Sequence, residues 1–152
     1  MGAWKQRLDE LGIELPGVAA PVAAYVPAVR SGSQVFTSGQ LPFAGGKLAA
    51  VGKVGAEIDA DEAKQHARTC VLNALAAVDA LVGLDSIVRI VKVVGFVASA
   101  EGFTGQPAVI NGASELLGEI FGEAGSHARS AVGVAELPVG APVEVEMIVE
   151  VA

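Results

Sequence analysis

One cysteine, Cys70, is all that the 152 residues contain, so no internal disulfide framework is possible, and this usage fits a reducing compartment. Metal ligands are as scarce: of two histidines, His66 falls within an expected helix and His127 beside Arg129, and no ligand pair stands at zinc-like spacing. Positive charge is thin as well. Ten Lys and Arg face 17 Asp and Glu, the cations are scattered, and a formal charge of −7 repels phosphate backbones, so no nucleic-acid partner is expected. Long apolar runs are missing. The most apolar uncharged stretch, Leu15 to Val29, is broken by Pro16, Pro21 and Pro27 and is too short to span a bilayer. Near the N-terminus Asp9 and Glu10 follow Lys5 and Arg7 where an export signal needs an apolar core, which makes a cytoplasmic protein the expectation. The glycines form neither a P-loop nor a dinucleotide fingerprint, and no serine sits in a nucleophile elbow. Cys70 lies on an apolar stripe with no base placed near it, as a small core residue would. Nothing in the sequence calls for a metal or a cofactor.

What is present is apolar. A chain of this length forms one domain burying about 70% of the surface its unfolded form exposes. Its hydrophobic fraction of 52% and mean hydropathy of +0.53 exceed what a small monomer comfortably hides, and a homo-oligomer is the natural outlet.

Trp4, Leu8 and Leu11 recur at helical spacing and predict a short helix ended by Gly12, an N-terminal extension over residues 1–16 preceding a domain over 17–152. Pro16 to Pro21 reads as a linker. Strands are expected at Ala24–Val29 and Gln34–Leu41 across an Arg30-Ser31-Gly32-Ser33 turn, then a glycine-rich loop from Pro42 to Gly55 with one short strand around Leu48–Val51. Asp59 or Asp61 can cap a long helix whose stripe runs from Ala63 through Cys70 to Val82, before Gly83. Ile87–Ala98 is a buried strand. A second helix starts near Pro107, with Val109, Ile110, Ala113, Leu116, Leu117, Ile120 and Phe121 on one face, and Gly122 and Gly125 close it. Ser130–Ala135 and Val143–Val151 finish the chain as strands. That order predicts an α+β fold with two helices on one face of a mixed sheet.

In the last strand, alternation sets Val143, Val145, Met147, Val149 and Val151 against the helices and turns Glu144, Glu146 and Glu150 to the other side. Those glutamates face water or a subunit interface, and water is the simpler expectation because carboxylates rarely enter cores unpaired. Arg129 stands between a glycine-rich helix end and small apolar residues, where a guanidinium needs an anionic partner. The plain partner is a nearby glutamate. The alternative is a ligand carboxylate gripped bidentately.

Ala128-Arg129-Ser130-Ala131, Leu137-Pro138 and Val143-Glu144-Val145-Glu146, with Phe36-Thr37-Ser38-Gly39-Gln40-Leu41-Pro42 and Tyr25 thirteen residues before Ser38, resemble the RidA/YjgF-type reactive-intermediate deaminases. The same family is also known as L-PSP endoribonucleases or translation inhibitors. Asn73 occupies a family-like place in the first long helix. The resemblance implies a chorismate-mutase-like fold assembled as a barrel-like homotrimer with sites between subunits. It implies that Arg129 holds the carboxylate of a 2-imino acid and that Glu144 activates water. The Ala131 carbonyl would bind the substrate nitrogen, and Tyr25, Ser38, Gly39 and Asn111 would line the pocket. His127 stands where many members carry proline or a small residue. The expected activity is hydrolysis of 2-aminoacrylate-type enamines and imines to a 2-oxo acid and ammonium. A metabolite-binding or chaperone-like trimer without turnover is the alternative, and endoribonuclease activity the least compatible with the charge.

Overall fold

The computed structural model describes residues 2–18 and 24–152. Its elements in chain order are α1 (Ala3–Leu11), β1 (Ala28–Ser31), β2 (Gln34–Thr37), β3 (Phe43–Ala44), β4 (Lys47–Leu48), α2 (Ala60–Val82), β5 (Ile87–Ala98), α3 (Gln106–Phe121), β6 (Ala128–Val134) and β7 (Val143–Val151). The five longer strands form one sheet in the order β1-β2-β7-β5-β6, and β3-β4 is a separate hairpin. β5 and β6 run parallel and every other neighbouring pair is antiparallel. The sheet is therefore mixed, as the alternation of strands and helices requires: α3 carries the chain back between two parallel strands, which a tight turn cannot do.

The inward stripe of β7 is as expected. Val143, Val145, Met147, Val149 and Val151 are all at most 2% exposed, and each contributes about 1.5–3 kcal/mol of apolar burial. They pack under α2, whose Ala63, Ala67, Cys70, Val71, Ala74 and Val78 are buried, and under α3 with Val109, Ile110, Ala113, Leu116 and Leu117. Asp59 caps α2 by accepting from the Glu62 N–H at 2.8 Å, a contact worth about 1 kcal/mol.

Several expectations need correction. The first strand starts at Ala28, not Ala24, because Pro27 has no N–H for the ladder and offers only its carbonyl, to the Ser38 N–H. Its turn is the two-residue Gly32-Ser33, with Gly32 at φ +62°. β2 ends at Thr37, and Gln40 rejoins the sheet through a bridge to Val145. Of the short strand expected around Leu48–Val51 only Leu48 is in a strand, at the end of β4. Phe43–Ala44 and Lys47–Leu48 instead pair across Gly45-Gly46, both at positive φ, the backbone that a two-residue hairpin demands. β6 begins two residues earlier than expected, at Ala128. The expected linker at Pro16–Pro21 lies partly outside the described residues.

The expected N-terminal helix is present, and α1 packs on the core beside α2 and α3 through its buried Leu8. Asp85 accepts from the N–H groups of Gly2, Trp4 and Lys5, each at 3.0 Å, so it serves α1 as an N-cap from a distant loop. Trp4 donates from its indole to the Ile87 carbonyl at 2.8 Å and meets Phe121 edge to face. The opposite face of the sheet carries no helix among the described residues, and Val29, Phe36 and Val132 on it are 41–52% exposed. No described helix is long and apolar enough to cross a membrane.

Candidate active site

Arg129 lies on β6 level with Val93 of β5 and Met147 of β7, both buried, so its side chain is on the helix-covered face. Gly95 allows α3 to come close there, because a Cβ at that position would collide with Ile110. Asn111 and Ser114, three apart on one face of α3, then reach the guanidinium: Nη1 donates to Asn111 Oδ1 at 2.7 Å and to Ser114 Oγ at 3.2 Å. Among the described residues no carboxylate lies within 4.0 Å of Arg129. The nearby glutamate expected as its plain partner is not there, and a half-buried cation is held by neutral groups alone.

β6 is an edge strand. Val134 turns its carbonyl toward β5 to accept from the Ser99 N–H at 3.0 Å, and strand alternation therefore turns the backbone groups of Arg129 and Ala131 outward, to the open edge. Ala131 thus turns its carbonyl to the open edge two residues along the same strand from Arg129.

Glu144 occupies the other face. It pairs with Phe96, which is level with Val132, and the row continues the helix-free surface. Burial pushes its carboxyl above the ordinary carboxylate range, and the charge of Glu146, two residues along the same face, pushes it further. A Cβ at Gly39 would lie 2.5 Å from Glu144 Oε2, so only glycine lets the carboxylate rest against that backbone. The segment is held in place on both sides: Gln40 exchanges backbone bonds with Val145, and Ser38 Oγ donates to the Val26 carbonyl at 2.6 Å. Asn73 donates from Nδ2 to the carbonyls of Leu41 and Phe43, both at 3.0 Å.

The site residues thus fall into two groups. Asn111, Arg129 and Ala131 gather at the β6 edge, and Ser38 and Gly39 gather at Glu144. Tyr25, 54% exposed and three residues before β1, is at the far edge of the sheet from Arg129. Two strand spacings, roughly 10 Å, and three residues along the strand separate Arg129 from Glu144, and they point to opposite faces. One chain does not bring them together. Cys70 is fully buried, and burial, with the Glu144 charge adding to it, holds its thiol well above the ordinary range, which disfavours the thiolate. His66 is buried and 3.1 Å from Glu62. No group of three metal-capable side chains exists among the described residues.

Ser114 and His127 were not among the expected site residues. The available signals were the spacing of Ser114 from Asn111 and the departure of His127 from the family pattern.

The chain is thus an α+β protein with a mixed sheet, helices on one face, and two separate polar groups, Arg129 at an open strand edge and Glu144 on the bare face. The family model described as "YjgF/chorismate mutase-like, putative endoribonuclease" matches residues 5–151, and the chain belongs to this family. The match takes in most of α1. Protein TCP17 of Trypanosoma cruzi is 48% identical over 147 residues, 94% of this chain and 91% of that protein. A crystal structure from Shewanella oneidensis MR-1, described as a "putative endoribonuclease", superposes with a TM-score of 0.93 at 36% identity, covering 99% of this chain and all of its own. Escherichia coli TdcF, solved with bound serine, is 27% identical with a TM-score of 0.63, over 90% of this chain and 93% of its own.

Proposed function

We propose that the protein is a hydrolytic deaminase of small 2-imino acids and their enamines, acting at sites shared between copies of the chain. The observation that carries this reading is Arg129: a guanidinium with no carboxylate partner among the described residues, oriented by Asn111 and Ser114 at a strand edge where the Ala131 carbonyl also faces outward. A 2-imino acid fits both groups, its carboxylate on the guanidinium fork and its N–H on the carbonyl. That TdcF binds serine, another small nitrogen-bearing carboxylate, supports the class of ligand.

Glu144 supplies the base. A carboxylate whose pKa is raised is a better proton acceptor near neutral pH than an ordinary one. Because it points away from Arg129 within one chain, the Glu144 that acts on a given ligand comes from a neighbouring copy packed through the helix-free sheet face, where Val29, Phe36 and Val132 are exposed. A homotrimer provides three such sites by symmetry. Tyr25, Ser38 and Gly39 would arrive with that Glu144.

In the reaction, Glu144 takes a proton from water as the oxygen attacks the C=N carbon of the iminium. The C–O bond forms as the C=N π pair moves to nitrogen. Glu144 then passes that proton to the amine nitrogen; as the C–N bond breaks the oxygen lone pair forms the C=O bond, and the hydroxyl proton passes through Glu144 to the departing ammonia, leaving a 2-oxo acid and ammonium. An iminium is already electrophilic, so positioning and a proton acceptor suffice.

The test couples the purified protein to a lyase that releases an enamine. Faster ammonium and 2-oxo acid release supports the deaminase. Unchanged release, with a 2-oxo acid still bound at Arg129, leaves a metabolite-binding protein. Sedimentation at three times the 15.3 kDa chain mass accompanies either result, and a stable monomer removes the shared site.

A further inference from the structure

We propose that Ser114 and His127 are positioning residues that fix the orientation of the Arg129 guanidinium; this rests on the reading of Arg129 as a carboxylate-binding group, and goes beyond it to residues for which the family resemblance supplies no role. The geometry is a single chain of hydrogen bonds. His127 Nδ1 is 2.6 Å from the Gly125 carbonyl, His127 Nε2 is 2.9 Å from Ser114 Oγ, and Ser114 Oγ is 3.2 Å from Arg129 Nη1. The polarity of the chain follows from its ends. A carbonyl only accepts, so Nδ1 carries the proton, and in the neutral ring Nε2 is left as an acceptor. A guanidinium only donates, so Ser114 Oγ accepts from it, and with Nε2 as an acceptor the serine gives its one proton to the ring. Every group has one consistent role, and the ring keeps the serine lone pairs turned toward the arginine.

The anchor is rigid. Gly125 is buried, and a Cβ there would collide with the Leu117 carbonyl, so the short turn after α3 brings its carbonyl to the imidazole at a place only glycine fits. Asn111 Oδ1, at 2.7 Å, accepts from the same Nη1. Two neutral acceptors thus engage one nitrogen of the fork and leave the rest of the guanidinium for a ligand. A carboxylate partner in place of Ser114 and His127 would satisfy the cation and compete with the ligand.

Three measurements test this without depending on turnover. In 15N-labelled wild-type protein, His127 is expected to carry its proton on Nδ1 and none on Nε2, and the Arg129 side-chain N–H signals, identified by their loss in Arg129→Lys, are expected to be sharp. Ser114→Ala and His127→Phe should broaden those signals, whereas Ser114→Thr, which keeps the hydroxyl, should preserve them. Binding of 2-oxobutanoate should weaken about tenfold in the first two variants and little in the third, the loss of one hydrogen bond to a charged group. The opposite tautomer, or unchanged Arg129 signals in Ser114→Ala and His127→Phe, overturns the proposal. If the signals respond as expected while the wild-type protein binds no 2-oxo acid, the positioning stands and the imino-acid reading of the site falls.

Discussion

The β6 edge and the centre of the helix-free face solve opposite problems. At β6 a charge is kept ionised and aimed: Arg129 sits among neutral acceptors supplied by α3 and by the turn after it, all from one chain. On β7 a charge is made reluctant. Glu144 is half-buried beside Glu146 with no cation within 4.0 Å among the described residues, so its proton is held more tightly than usual. The first arrangement suits recognition and is complete in the monomer. The second suits proton transfer and lies on the face that no described helix covers.

The largest expected effect separates the two roles. Glu144→Gln keeps shape and removes the base, so turnover should fall by roughly 10²-fold or more while 2-oxo acid binding largely persists, as read by calorimetry. Arg129→Lys should lose binding and turnover together, by about 10²-fold in kcat/KM, with circular dichroism unchanged, because an ammonium cannot reproduce the fork. If both variants lose only binding, the carboxylate serves recognition and the contrast fails.

A mixing experiment tests whether the two regions meet across copies. Unfolded together and refolded at equal ratio, Arg129→Lys and Glu144→Gln chains should regain activity, with about one quarter of the shared sites intact in a closed symmetric oligomer. No recovery above the separate variants would place both groups in one chain's site, against the geometry.

Smaller effects sharpen the Glu144 half. Gly39→Ala should lower kcat by about tenfold with little change in KM, since the added methyl must push the carboxylate aside but leaves Arg129 untouched. Glu146→Gln should change the plateau rate least and move the pH profile. The base works only when ionised, so the rate is lost as pH falls through the Glu144 pKa, which lies above the ordinary carboxylate range. Removing the neighbouring charge lowers that pKa, and the acid limb should shift to lower pH; burial, the larger cause, remains. The same sign governs stability. A carboxyl whose folded pKa is raised binds its proton more tightly in the folded state, so its contribution is present below the unfolded pKa and is lost as pH rises through the folded one. Glu144→Gln should therefore raise Tm at neutral pH relative to wild type.

The sequence alone determined the local features. Periodicity set α2 and α3, the inward stripe of Val143, Val145, Met147, Val149 and Val151 set β7, and Gly83 and Gly122 set the helix ends, because these follow from the fixed repeats of helix and strand. It also singled out Arg129 and Glu144. It placed the hairpin at Gly32 but set its first strand to begin at Ala24 instead of Ala28, and it missed the hairpin at Gly45-Gly46, where short strands carry too few residues for a period to show.

Only the tertiary structure decided how those elements meet. Alternation orders side chains within one strand, but it cannot relate the faces of two strands joined by a loop and separated by a third. The placement of Arg129 on the helix face and Glu144 on the bare one therefore came from the pairing of β6 and β7 with β5 on either side. The partnership of Arg129, Ser114 and His127 came from α3 lying close over Gly95, a contact between residues that no local pattern connects.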